Sequence, residues 1–268
     1  ILAGLSVSMM AGLYMFHNNL NNGEGWSQNL ELLIGTGLSG AGTSLAIFVM
    51  FAVADSVTRQ YWPEKLKIYD YVRQGMVFNK PVGYMLVRSV TLAFVLAGIW
   101  TLLLWTMPQL YFEFEETIFL SQQAAWPPLF VTFSNGIYSL LLVLGTFMIV
   151  GSQALSKTSN KAIAAALMII ACGIFVPFAG YFGPALYEFI GGIVMGAALV
   201  LIYMQWDFLT LLFSHFLFLG LMTTTTGWII PGSLDTYLFI LIVIMLAILF
   251  AGGLFAIGRG KEEKLLSQ

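Results

Sequence analysis

The sequence contains little charge and very few residues that bind metals. Of its 268 residues, 9% are charged, two are histidines and one, Cys172, is a cysteine. A single cysteine excludes an internal disulfide, and no Cys/His cluster has metal-ligand spacing. The net charge of −2 comes with no basic stripe of interleaved aromatic residues, so no nucleic-acid partner is indicated. The sequence contains no cofactor motif, and we expect no cofactor.

Apolar residues dominate what remains. They make up 59% of the chain, and the mean hydropathy is +0.88. Soluble domains carry about 25% charged residues, and no water-soluble shape of this size hides so much apolar surface. The lipid bilayer is therefore the expected surrounding of most of the chain, and the composition predicts an all-α, polytopic integral membrane protein.

Eight apolar runs are separated by turn-forming residues, and a spanning helix needs about 20 residues. The chain opens at Ile1, so we expect the first run to be shortened and a further upstream segment to precede it. That run lacks the basic region of a signal peptide. We expect one transmembrane domain over 1–268, with spans at 1–16, 33–54, 82–107, 127–150, 162–182, 184–206, 208–226 and 235–257.

The distribution of basic residues predicts the orientation. All eleven Lys and Arg residues lie in or beside three segments, at 59–88, 157–161 and 259–264. The connections on the opposite face contain none. Because Lys and Arg near helix ends are retained in the cytoplasm, we expect a bundle of about eight helices with both termini inside.

Two connections are long enough to have structure of their own. The cytoplasmic loop 55–81 alternates charged and aromatic residues. It is either a short amphipathic helix at the headgroups, with its basic residues near anionic lipid, or a solvated connector. The outer loop 108–126 carries Glu113, Glu115 and Glu116 among aromatic residues and is predicted to be a second interfacial segment.

Ionisable groups within spans are costly and are candidates for function. Glu188 lies near the outer end of the sixth span, and His215 lies about a third of the way into the seventh from the cytoplasm. Their heights differ by about 15 Å at 1.5 Å per residue, so we expect no acid–base pair between them. An interhelical hydrogen bond is favoured for His215, and a structural role for Glu188.

Other residues suggest packing or ligand binding more weakly. Gly191, Gly192 and Gly196 have the spacing of a helix-packing groove. His215 and His17 are weak candidates to ligate a pigment or haem, although an interfacial position explains His17. The Thr223–Thr226 run is a weak indication of a transport path.

Three stretches in the second half of the chain carry a resemblance. Residues 189–196 read Phe-Ile-Gly-Gly-Ile-Val-Met-Gly, followed by Asp-Phe-Leu at 207–209 and Ser-His-Phe at 214–216. This order resembles the C-terminal part of the CPBP family, the CAAX-protease and bacteriocin-processing glutamic intramembrane proteases. Residues 54–66 resemble a loop in long bacterial members. The resemblance implies a bacterial inner (cytoplasmic) membrane protein, with similarity over residues 45–225.

The residues of the family's catalytic motifs are missing. Its chemistry depends on Glu-Glu-x-x-x-Arg, then Phe-x-x-x-His, then a histidine-bearing helix. Residues 146–151 hold no carboxylate or arginine where the first motif belongs. The second keeps Phe175 but has Ala179 in place of histidine. Glu115-Glu116 precedes the fourth span and has Leu120 where arginine belongs. The resemblance implies that the fold is kept and the catalysis lost.

These observations favour a catalytically inactive CPBP-like membrane protein that acts as a scaffold or accessory subunit, with other integral membrane proteins as partners. One alternative is an active intramembrane peptidase with a displaced site that uses His215 with Glu188 or with a residue of the expected upstream segment. Another is a small-solute transporter that works through the Thr-rich seventh helix.

Overall fold

The computed structural model describes residues 26–107, 111–112, 136, 139–175, 181–182, 185–229 and 233–259. Within these ranges the chain is helical, apart from turns and one antiparallel pair of two-residue strands, β1 (Tyr111–Phe112) and β2 (Tyr181–Phe182). The helices are α1 (Trp26–Tyr61), α2 (Lys67–Arg73), α3 (Lys80–Thr106), α4 (Ser139–Thr158), α5 (Lys161–Phe175), α6 (Ala185–Gln205), α7 (Phe208–Ile229) and α8 (Ser233–Arg259).

Four helices in the described part of the chain are long and apolar enough to cross a membrane: α3, α4, α6 and α8. Shorter apolar helical stretches lie in α5 and α7. Large apolar side chains point outward from these helices; Trp105 is 80% exposed and Ile248 is 65% exposed. By the length and composition of its helices, the chain is an all-α membrane protein.

The helices pack in two groups. In one group, α3 packs against α7 and α8, which also contact each other; in the other, α5 packs against α4 and α6, and α4 against α1. α3 and α8 approach closely where Gly83 faces Gly253, because a Cβ on Gly83 would lie 2.7 Å from the Gly253 carbonyl oxygen. Small residues at such crossings allow the backbones to make the close contacts that hold helices together in lipid.

One end of the bundle, which we call the basic end, gathers the basic segments. Lys65 contacts the C-terminal carbonyls of α6. Lys161, at the start of α5, lies 3.8 Å from Glu64, and the last turns of α8 lie beside the start of α3. The basic end therefore comprises residues 59–80, 157–161, 206–207 and the last turn of α8. The β1–β2 pair lies in the connections that follow the far ends of α3 and α5.

The cytoplasmic loop predicted at 55–81 folds against the bundle. α1 continues to Tyr61, and a 3-10 turn over Pro63–Leu66 leads into α2. Leu66 and Tyr71 are buried, and the Tyr69 ring packs edge-on against Phe208 of α7, with centroids 5.8 Å apart. A short helix is present, as one of the two interpretations predicted, but its apolar side faces the protein.

Most predicted spans coincide with helices. The boundaries of 82–107, 184–206, 208–226 and 235–257 agree with α3, α6, α7 and α8 to within three residues. The span at 33–54 lies inside α1, whose 36 residues exceed the roughly 20 needed to cross the hydrocarbon core. The run 1–16 lies outside the described residues, as does the greater part of the predicted outer loop.

Two predicted spans were wrong at their C-terminal ends. α4 continues past residue 150 to Thr158 and ends where Ser159 adopts a left-handed conformation, with φ of 51°. The described part of α5 ends at Phe175, and residues 181–182, inside the predicted span 162–182, form β2.

The glycines predicted to form a packing groove lie where α6 meets α5. Gly191 and Gly192 are buried, as is Gly196. A Cβ on Gly192 would lie 3.0 Å from the Gly173 Cα, and one on Gly196 would lie 2.5 Å from the Cys172 Cβ. The contact between these two helices therefore depends on the missing side chains at Gly192 and Gly196.

Replacing Gly196 by alanine should weaken the α5–α6 contact, because the new methyl group would overlap Cys172. We expect a loss of about 1–3 kcal/mol, measured as a lower thermal unfolding midpoint in detergent. Gly98→Ala is the matched control, since a Cβ there meets nothing within 4 Å and alanine favours the helix. Equal midpoints for the two variants would contradict the packing described for α5 and α6.

Candidate functional site

His215 is fully buried in α7. Its Nδ1 lies 3.0 Å from the Ser139 Oγ at the start of α4, so the interhelical hydrogen bond expected for this histidine is present. The ring also contacts Phe218, with centroids 6.1 Å apart. The neighbouring Ser214 hydroxyl donates to the Leu211 carbonyl of its own helix at 3.0 Å. These contacts hold His215 in a fixed position between α4 and α7.

Glu188 lies far from His215 along the bundle. It is half-buried in the first turn of α6, 17 residues before that helix ends at Gln205. His215 lies seven residues after α7 begins at Phe208. At about 1.5 Å per residue, the two side chains differ in height by about 15 Å. The structure does not bring them together as an acid–base pair.

The other sequence candidates add no site in the described part of the chain. His17 lies outside the described residues. The Thr223–Thr226 run continues α7 without interruption of the helical backbone. Across the described ranges, no group of three His, Cys, Asp or Glu side chains is placed to hold a metal ion.

A nine-residue segment of α4 has an unusual backbone. Over Val143–Gly151, α4 widens into a π-helix, a conformation that usually occurs as a single turn and often near functional sites. The buried Thr58 hydroxyl of α1 donates to the Met148 carbonyl at 3.4 Å. The Ser152 hydroxyl in turn donates to the Thr58 oxygen at 3.3 Å. Hydroxyl groups here link the widened segment to α1.

Lys65 is a buried cation whose partners are main-chain carbonyls. This side chain is only 4% exposed. Its Nζ donates to the Tyr203 carbonyl, to the Met204 carbonyl at 2.8 Å and to the Trp206 carbonyl at 2.7 Å. The ammonium also lies 5.3 Å from the Trp62 ring centroid and 5.2 Å from that of Tyr203. Lys65 therefore caps the C-terminal end of α6, where a positive charge is favourable.

Burial and the nearby carboxylates of Glu64 and Asp207 have opposite effects on the pKa of Lys65. Burial lowers the pKa of Lys65 to about 8, which leaves the ammonium protonated at neutral pH. Nearby Asp207 is also buried and caps the start of α7, accepting from the Thr210 N–H at 2.9 Å and the Thr210 hydroxyl at 2.7 Å. Burial raises the pKa of Asp207. The α6–α7 turn thus has a cation at one helix end and a carboxyl at the next, each suited to the helix dipole.

Arg59 ties the end of α1 to α2. Its guanidinium forms two hydrogen bonds with Asp70, at 2.7 and 3.2 Å, and one with Asp55 at 2.9 Å. The hydrogen bonds to Asp70 raise the pKa of Arg59 above its ordinary value, and the bond to Asp55 makes a smaller contribution in the same direction. The two Nη groups of Arg59 donate to the two oxygens of the Asp70 carboxylate. Because this bidentate geometry is specific, the segment after α1 is held in a defined position.

Sequence reasoning missed the role of Lys65. It was counted with the other basic residues as a marker of the cytoplasmic face, which does not distinguish a buried lysine from a solvated one. The available signal was local: Lys65 follows Trp62 and Pro63 closely, and an aromatic ring beside a lysine permits a cation–π contact. Its acceptors lie 138 or more positions away in the sequence, where no local pattern could identify them.

Three polar side chains of the described structure act in structural contacts. A hydroxyl holds His215, main-chain carbonyls hold Lys65, and carboxylates hold Arg59. Comparison with protein-family models, curated proteins and solved structures finds no match for this chain. The CPBP resemblance therefore rests on the sequence motifs alone.

Replacing Lys65 by methionine should destabilise the basic end, because three carbonyls lose their donor. Relief from burying a charge offsets part of this loss, and we expect a net cost of about 2 kcal/mol. The measurement is the thermal unfolding midpoint in detergent, together with the rate of proteolysis between residues 60 and 80. Lys67→Met is the control, since Lys67 is exposed. If both variants behaved like the unmodified chain, the cap would have no energetic role.

Proposed function

We propose that the chain is an eight-span protein of the bacterial inner membrane with both termini in the cytoplasm. The three basic segments support this topology, because the contacts of Lys65 and Lys161 bring two of them to one end of the bundle. The packing of α8 against the start of α3 brings the third to the same end. A single cytoplasmic face for all three agrees with the retention of Lys and Arg inside.

The topology predicts which introduced thiols are reachable from outside. In intact cells, a membrane-impermeant maleimide should label Thr106→Cys, at the outer end of α3, and leave Lys157→Cys unlabelled until the membrane is opened. Both positions are exposed, and the native Cys172 is buried. Labelling of Lys157→Cys in intact cells would contradict the orientation.

Within this topology the chain acts as a non-catalytic scaffold or accessory subunit related to the CPBP proteases. The observation that carries this proposal is which residues occupy the expected catalytic positions and how they are buried. Residues 146–151 supply no carboxylate or arginine, Met148 and Phe147 are fully buried, and His215 is engaged with Ser139. A glutamate-activated water needs a base at that place, and the space is filled by packed apolar side chains.

An accessory role also agrees with the surface. Exposed apolar residues lie on several helices, among them Leu102 at 60% and Ile248 at 65% exposure. In a bilayer such faces are covered by lipid or by the helices of other integral membrane proteins. A chain without a reaction centre of its own then acts through association.

The test is purification of the tagged chain from its native membranes in a mild detergent, followed by mass spectrometry of the bound proteins. We expect a stoichiometric complex with one or more integral membrane proteins. The control is a tagged membrane protein of similar size and abundance, purified in parallel, and partners common to both preparations do not count.

Recovery of a lone, monodisperse chain would contradict the accessory role. Cleavage of a membrane peptide that is lost in His215→Ala and retained in Ser214→Ala would overturn the inactive assignment in favour of a peptidase. Solute flux in liposomes containing the chain alone would overturn it in favour of a transporter.

A further inference from the structure

Arg88 is a charged residue on the exposed side of the membrane-spanning helix α3. It lies eight residues after the start of α3, about 12 Å along the helix axis. Its side chain is exposed, whereas Met85, Ser89 and Val90 on the other side of α3 are buried. A charge on the lipid-facing side of a span is costly unless the side chain reaches a polar group.

The Arg88 side chain bends back toward the basic end. Its guanidinium carbon lies 5.5 Å from the ring centroid of Tyr84, one turn earlier, and Tyr84 is itself 46% exposed. The described residues provide no ion pair or hydrogen bond to Arg88. The ring attracts the cation, but it leaves the five N–H donors of the guanidinium available to an acceptor from outside the protein.

Aromatic side chains indicate that Tyr84 lies at the level of the lipid headgroups. Because Gly83 packs against Gly253, Tyr84 and Phe255 have nearly the same height. Phe255 is 49% exposed and lies under the Arg259 guanidinium at 5.2 Å. Phe78, 70% exposed, packs edge-on against Phe255 at 6.3 Å. Exposed rings at one height, accompanied by basic residues, are typical of the membrane–water interface.

We propose that Arg88, together with Tyr84, binds the headgroup phosphate of an anionic phospholipid. The planar guanidinium matches the phosphate oxygens in a bidentate arrangement. The positive charge of Arg88 favours an anionic over a zwitterionic headgroup. The exposed Val95 and Leu102, seven and fourteen residues after Arg88, continue the same face of α3 and offer an apolar surface to an acyl chain.

The test uses the full chain, purified in detergent and exchanged into mixtures of phosphatidylglycerol and phosphatidylcholine. Native mass spectrometry then measures which lipid remains bound. We expect a preference for phosphatidylglycerol that falls about five- to tenfold in Arg88→Gln and is partly restored in Arg88→Lys. Arg73→Gln is the matched control, because it removes one exposed positive charge of the basic end from α2 instead of α3 and should keep the preference.

Three outcomes would overturn the proposal. An unchanged preference in Arg88→Gln would exclude this arginine as the ligand. An equal loss in Arg73→Gln would mean that general charge attracts the lipid. Complete displacement of phosphatidylglycerol by inorganic phosphate would assign the site to free phosphate. Thermal unfolding in phosphatidylcholine alone checks that Arg88→Gln is folded. If its midpoint equals that of the unmodified chain, a change in lipid preference comes from the loss of the guanidinium and not from unfolding.

Discussion

A buried ammonium is the constraint on which the basic end depends. Lys65 has little contact with water, and its charge is tolerated because three main-chain carbonyls and two aromatic rings surround it. These acceptors exist only when α6 ends at Gln205 and the chain turns at 206–207. The lysine therefore requires a particular helix end, and that helix end requires the lysine, since its last carbonyls have no partners within the helix. This one group fixes segment 62–73 to the end of α6.

Inside the bundle, close backbone approach replaces the hydrophobic driving force. Lipid chains are as apolar as leucine, so helices in a membrane gain little from hiding apolar side chains from one another. Glycines at the α3–α8 and α5–α6 crossings bring backbones into contact, while single hydrogen bonds such as that between His215 and Ser139 fix the register. A single hydrogen bond also fixes the π-helical segment of α4, because the Thr58 hydroxyl of α1 donates to its main chain.

The sequence was informative about helices and uninformative about how they meet. Hydropathy located α3, α6, α7 and α8 closely because the thickness of a bilayer sets the length of an apolar run. It failed at the end of the predicted span 162–182, where residues 181–182 form β2 inside an apolar stretch. Gly192 and Gly196, which were selected by their spacing in the sequence, lie at the contact between α5 and α6.

The candidate sites were harder to predict for a physical reason. His215 could be identified as a polar group in a span, and its bond to another helix could be anticipated, but its partner Ser139 could not. Lys65 was hidden among solvated charges, because burial of a lysine depends on contacts between distant parts of the chain. The aromatic partner of Arg88 lies one helical turn away, so that contact was available from the sequence as an i, i+4 pair.

The burial of Cys172 has a consequence for the chemistry of oxidation. The only thiol of the chain is fully buried against Gly196, and reaction with oxidants requires an accessible thiolate. Packing therefore shields this thiol from glutathione, peroxide and metal-catalysed oxidation. The helix contact that leaves no room for a methyl group at Gly196 also keeps the Cys172 sulfur out of reach of oxidants in the folded protein.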